Sequence, residues 1–280
     1  MTKLTISLSE DGIAAGEAYL SHTPALRSHA GTQPDLFLRW NTIPLSAELV
    51  DVVVHLHGFS QQGRDMTLAE KVAGSGVDLS GRTRPTLAIV PRGNWLRHYY
   101  YDFPALLSGG VDQLLQFGMK CFAGAIAGAS PGASGTLIMD RFILTAHSGG
   151  GMPAVDVIAG ASQSPDEFYV FDGLYGRDPT TGDPLRGLEV IDRWLSERLQ
   201  REPGREGALR VIYIEQQTGP FSRAVAELIT RHPATSHPAQ DGSLARRYRV
   251  EISGVQHSQI ARRCAPELLA ASDAQFAWWG

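Results

Sequence analysis

The stretch Phe142-Ile143-Leu144-Thr145-Ala146-His147-Ser148-Gly149-Gly150-Gly151 decides how this chain is read. Residues 142–146 form an apolar run of strand length without alternation, the pattern of a strand covered on both faces. The run passes at once into a segment beginning near Met152-Pro153. Proline suits the first turn of a helix, where its missing N–H would have no partner anyway. A serine on so sharp a strand-to-helix turn sits in strained backbone, and the residues two before and two after it must be small. Ala146 and Gly150 meet that need. The Ser148 hydroxyl is then expected to project from the carboxyl edge of a sheet, at the positive end of a helix.

Working outward, short apolar runs at 3–8, 35–41, 50–56, 86–90, 140–146, 167–172, 209–215 and 246–252 read as strands. Helices are expected at about 64–74, 110–128, 151–161, 187–201, 221–231 and 262–277. In the fourth of these, Leu188, Ile191, Leu195 and Leu199 recur at helical spacing with charges opposite. From residue 50 onward the order is βαβα. It predicts an α/β fold: a doubly wound, mostly parallel sheet of about eight strands, with an antiparallel N-terminal edge and helices on both faces. No composition break divides residues 1–280, which read as a single domain, and only about 15 residues separate Asp172 from helix 187–201, too few for a large cap. Two Gly/Pro-rich stretches, 74–85 and 232–242, read as mobile surface.

Composition narrows the function classes. Of 280 residues, 43% are hydrophobic and 19% charged, which excludes a disordered chain. The 25 Lys and Arg against 29 Asp and Glu give a net charge of −4, so no basic field invites nucleic acid or an anionic membrane. Cys121 and Cys264, far apart, supply neither a disulfide framework nor a thiolate zinc site. The N-terminal residues hold no apolar core of signal-peptide length, and no run of 18 apolar residues occurs. A cytoplasmic protein without a membrane span is expected.

Two further segments bear on the serine. His55-Leu56-His57-Gly58-Phe59 ends the strand at 50–56, and a loop there can offer a backbone N–H to a developing oxyanion. Gly254-Val255-Gln256-His257-Ser258 follows the last expected strand, where a histidine on a loop could reach the serine as a general base. In that chain order the His57-Gly58 loop, the Ala-His-Ser-Gly-Gly turn and the late histidine resemble the α/β-hydrolase superfamily. The resemblance spans about residues 50–260 in topology and only short stretches in motif. It implies Ser148 as nucleophile, His257 as base, and the N–H groups of Phe59 and Gly149 as oxyanion donors. The implied activity is that of a carboxylesterase-like serine hydrolase working through an acyl-enzyme, with no cofactor. His147 is a usual filler of such a turn and receives no catalytic part. The acid that orients the histidine has two candidates. Asp172 ends the strand at 167–172 before a glycine, and Glu215 ends the strand at 209–215; Asp172 is preferred, with Glu215 as the alternative.

The loop 91–104 leaves the same sheet edge and is rich in rings. Trp95, His98, Tyr99 and Tyr100, with Leu174 and Tyr175 beyond Asp172, are read as a wall for an apolar or ring-bearing small-molecule acyl substrate; equally, the loop's rings could serve only to pack the loop down. Arg92 and Arg97 could meet an anionic substrate, but solvated arginines are commoner and both are expected in solvent. Three other readings compete. Gly149, Gly151 and Ala154 satisfy G-x-G-x-x-A after a strand, with Asp172 placed for a ribose, as in a dinucleotide-dependent oxidoreductase. That fingerprint belongs on a sheet's first strand, however, and it leaves the His57-Gly58 loop and His257 without roles. His55 and His57, at i and i+2, could share a metal, but Gly58-Phe59-Ser60 stands where further ligands would follow, so no metal site is assigned. His55 reads more simply as a buried strand histidine bonded to the loop. A non-catalytic binding protein on the same fold is the third.

Overall fold

The computed structural model describes residues 4–10, 12–60, 62–97, 100–130, 137–175, 187–202, 205–236 and 247–273. Its central sheet has eight strands: β1 (Gly16–Leu20), β2 (Leu36–Trp40), β3 (Leu49–Leu56), β4 (Thr86–Pro91), β5 (Ile138–His147), β6 (Glu167–Phe171), β7 (Ala208–Tyr213) and β8 (Tyr248–Ile252). They lie in the order β1-β2-β4-β3-β5-β6-β7-β8. Strands β3 to β8 are parallel, whereas β1 pairs with β2, and β2 with β4, antiparallel. The expected architecture is thus the observed one, apart from the identity of its outermost strand.

Its layers follow from side-chain alternation. On β5, Phe142, Leu144 and Ala146 enter one core cluster while Ile143 enters the other; on β3, Val52 and Val54 oppose Val53 in the same way. Helices α2 (Gly110–Ala129), α3 (Gly151–Gly160), α4 (Leu188–Leu199) and α5 (Gly219–Arg231) cover the first face through Leu114, Val155, Trp194 and Val225. Helices α1 (Leu68–Ser75) and α6 (His257–Asp273) cover the second through Leu68, Val72, Ile260 and Leu268. No helix among the described residues is long and apolar enough to cross a membrane.

Several local expectations need correction. The run at 3–8 is not a strand of the central sheet: Leu8–Ser9 pairs only with Gly12–Ile13, while Leu4 and Ile6 pack into the core without a ladder. The outer strand is instead Gly16–Leu20, where Leu20 alone is fully buried. The loop after β4 contains a short antiparallel hairpin, Asn94–Arg97 with Tyr100–Asp102. Residues 74–85 are anchored to the core at several points, with Val77, Leu79 and Arg82 buried; Arg82 donates to Thr86 Oγ1, the Leu269 carbonyl and Asp51. Helix α6 begins at His257 itself, so that histidine stands on the first turn of a helix and not on a loop.

Candidate active site

The carboxyl ends of β3, β5 and β6 and the segment after β8 deliver Phe59, Ser148, Asp172 and His257. At the end of β5 the chain makes a single 3₁₀ turn, Ser148–Gly150, and continues into α3. Ser148 has φ 52°, in the left-handed region that costs a non-glycine residue about 1–3 kcal/mol and persists only where its surroundings enforce it. Asp172, at the end of β6, has φ 49°. The loop after β3 lies directly against the serine turn. A Cβ on Gly58 would stand 2.7 Å from Ser148 Cβ, and one on Gly149 would stand 2.2 Å from the Phe59 ring. Both positions therefore require glycine for close approach.

Three side chains from three elements form one continuous hydrogen-bonded chain. His257 Nε2 lies 2.8 Å from Ser148 Oγ, and its Nδ1 lies 2.5 Å from Asp172 Oδ2. The carboxylate accepts from Nδ1–H, which leaves Nε2 as the acceptor for the serine hydroxyl. Asp172 is buried, and its other oxygen accepts from Thr218 Oγ1 and from the Ile214 N–H at 3.0 Å. Burial alone would raise its pKa. The bonds from His257, Thr218 and Ile214 outweigh that and hold the carboxyl below the usual carboxylate range. Glu215, the alternative acid, is half exposed and pairs with Arg223, with Tyr213 Oη 3.3 Å away.

Surrounding groups hold this chain in place. His147 Nε2 lies 3.0 Å from the His257 backbone carbonyl, to which it donates, and the two rings stand 5.1 Å apart. Burial pushes His147 down to about 4, so it acts as a neutral donor. Tyr175 Oη is 3.2 Å from Ser148 Oγ; burial raises its pKa and keeps the phenol protonated. His57 is buried, with Nδ1 2.9 Å from Gly58 O and Nε2 accepting from the Gly93 N–H at 2.9 Å. His55 bonds Thr145 Oγ1 on the neighbouring strand at 2.8 Å, and not the loop. Among the described residues no group of three or more His, Cys, Asp or Glu gathers as metal ligands would.

The substrate-wall expectations divide. Tyr100 is 52% exposed and packs edge-on against Phe59, with ring centroids 4.9 Å apart, so these two rings stand beside the serine turn. Trp95 packs on Tyr101 at 5.0 Å and braces the hairpin. Leu174 is fully buried in the core, because the turn after β6 folds inward against α3, and it presents no surface to a ligand. His98 and Tyr99 lie outside the described residues. Arg92 is fully buried, 3.7 Å from Asp65, contrary to the expectation of a solvated side chain.

Sequence reading missed two participants. Thr218 caps Asp172 from the start of α5, and only its place after a strand, beside Gly219-Pro220, marks it. Lys71 sits on the buried face of α1, where its charge in an otherwise buried stripe was the available signal.

Solved structures similar to this chain include an S-formylglutathione hydrolase from Agrobacterium tumefaciens, 13% identical, covering 100% of this chain and 98% of that one with a TM-score of 0.50. XC6422 from Xanthomonas campestris, described as a serine hydrolase without a lid, is 13% identical over 98% of this chain and 97% of its own, with a TM-score of 0.40. The siderophore hydrolase EstB from Aspergillus nidulans is 12% identical over 97% of both chains, with a TM-score of 0.44. At 13% identity the likeness to the S-formylglutathione hydrolase speaks to the fold alone, which is α/β-hydrolase-like. No family model and no curated protein sequence matches the chain.

Proposed function

We propose that this chain is a serine hydrolase that cleaves a carboxylic ester or a related acyl bond through an acyl-enzyme intermediate. The observation that carries the reading is the unbroken bonding from Ser148 Oγ through His257 to Asp172, with Ser148 held in left-handed backbone. Ser148 Oγ attacks the substrate carbonyl while its proton passes to His257 Nε2. Asp172 fixes the imidazole tautomer and stabilises the imidazolium, which then protonates the leaving group. Water repeats the sequence to release the acid. The N–H groups of Gly149, at the start of a helical turn, and of Phe59 receive the oxyanion. The Tyr175 phenol gives way when the acyl carbon bonds to Oγ.

The Phe59–Tyr100 pair supports an apolar or ring-bearing group on a small-molecule substrate, and the chain is proposed to act in the cytoplasm as a single domain without a large cap. The dinucleotide reading fares worse, because both oxygens of Asp172 are already engaged by His257, Thr218 and Ile214 and neither is free for a ribose. The test is hydrolysis of p-nitrophenyl acetate and butyrate. The wild type should turn over at least one, and Ser148→Ala should lose that turnover to background while keeping its circular dichroism spectrum and Tm. Turnover retained in Ser148→Ala would sink the mechanism.

A further inference from the structure

Helix α1 buries Leu68, Lys71, Val72 and Ser75, the i, i+3, i+4, i+7 stripe that normally carries apolar side chains. Lys71 is only 6% exposed. An ammonium so placed must find partners for its hydrogens or be expelled. Its Nζ donates to Gly58 O at 2.9 Å and to Phe59 O at 3.0 Å, and lies 4.2 Å from the centre of the Tyr101 ring. These partners are backbone carbonyls of the loop after β3, not carboxylates. Nothing in them neutralises the charge, so the contacts serve the loop more than they serve the lysine.

The Gly58–Phe59 peptide makes the consequence definite. A trans peptide is planar, and its C=O and N–H point in opposite directions. Drawing Gly58 O towards Lys71 therefore turns the Phe59 N–H away from α1. The same carbonyl oxygen also lies 2.9 Å from His57 Nδ1. Because His57 Nε2 accepts from Gly93, Nδ1 carries the proton and donates it to that carbonyl. Burial keeps His57 neutral, so the tautomer and the bond persist. The same loop lies against Ser148 and Gly149.

We propose that Lys71 is a positioning residue for acyl transfer: by tying down the carbonyls of Gly58 and Phe59 it holds the Phe59 N–H towards the oxyanion formed at Ser148. The proposal rests on the serine-hydrolase reading above. Burial pushes Lys71 down to about 7, with Asp65 and Glu70 opposing that shift and His57 the titratable group it disfavours in turn. Losing the proton does not release the loop, since a neutral amine keeps two N–H donors, one for each carbonyl.

The experiment compares wild type, Lys71→Met and Lys71→Gln in kcat, KM and Tm on a p-nitrophenyl ester. It adds inhibition by an aliphatic trifluoromethyl ketone, whose serine adduct carries a tetrahedral oxyanion. Deleting an oxyanion donor costs about 10²–10³ in kcat, so a donor left in place but unsteadied should cost about 10–100-fold. Lys71→Met is expected to lose that factor in kcat, to weaken trifluoromethyl ketone binding by a similar factor, and to leave KM within about threefold. Lys71→Gln, which keeps amide donors on a shorter stem, should recover part of the loss, and it carries the test if Lys71→Met fails to fold. A folded Lys71→Met or Lys71→Gln with wild-type kcat and inhibitor affinity overturns the proposal. So does a variant whose losses appear in KM alone. A wild type inert to both ester and ketone overturns the hydrolase reading, and this proposal with it.

Discussion

The two ends of the central sheet handle buried charge in opposite ways. At the amino end, Asp51 is surrounded by Arg82, Arg84 and Arg141, and Arg141 also pairs with Glu167. Each charge there meets an opposite charge, and Asp51 is held below the usual carboxylate range despite its burial, chiefly by Arg141 with Arg82 and Arg84 adding to it. At the carboxyl end, Asp172 meets an imidazole, a hydroxyl and an N–H, and Lys71 meets two carbonyls and a ring. Neutral dipoles hold these charges without cancelling them. The first arrangement suits a cross-brace between strands; under the proposed mechanism the second keeps a negative charge available to a cation that appears only during the reaction.

Mutations at the two ends should therefore fail differently. Asp172→Asn leaves packing nearly unchanged but removes the charge facing His257, and turnover should fall on the ~10⁴ scale seen when a triad carboxylate is neutralised. Steady-state kinetics on the ester that the wild type hydrolyses would show it, with Tm little altered. Asp51→Asn should do the reverse. It removes the carboxylate charge that buried Arg82 and Arg141 share, a loss of about 3–5 kcal/mol in urea unfolding, with kcat per folded molecule unchanged. An Asp51→Asn protein that is stable but slow would erase the distinction between the two ends.

A smaller effect tests whether Lys71 is truly desolvated. Its pKa is about 7 when folded, against an ordinary 10.5, so between these values the unfolded chain binds a proton that the folded chain does not. Stability contributed by this group is lost as pH falls through 7 and gained as pH rises towards 10.5. The stability of wild type relative to Lys71→Met should thus increase from pH 7 upward in parallel urea titrations. A gap that stays flat with pH would place Lys71 in a wetter setting. Smallest of all is Glu215→Gln, which touches an exposed ion pair with Arg223 and should change kcat by less than about twofold. A loss there on the Asp172 scale would reassign the acid.

How much of this was legible in the sequence depends on how local each signal is. The serine turn announces itself within ten residues, because the sharp turn demands small neighbours at fixed places and the strand before it is apolar on both faces. The parallel core strands were legible for the same reason. Strand β1 was not: Gly16–Leu20 has one fully buried residue and lies at the sheet's edge, so its pairing leaves little imprint, while the more apolar 3–8 run packs without pairing. Nor could spacing decide between Asp172 and Glu215. Both end parallel strands, and only the three-dimensional position of His257 on the first turn of α6 distinguishes them. Lys71 and Thr218 act through backbone carbonyls and a carboxylate distant in sequence, contacts that no local pattern encodes.

The central claim is that Ser148 is a nucleophile activated by its neighbours. Its most direct test is intact-mass and peptide mapping after brief exposure to a fluorophosphonate, with Ser148→Ala alongside. The account predicts one adduct per chain, on the peptide carrying Ser148, and none on the alanine variant. A folded wild type that remains unlabelled, or one labelled equally at other serines and in Ser148→Ala, would contradict it and favour a non-catalytic binding protein on the same fold.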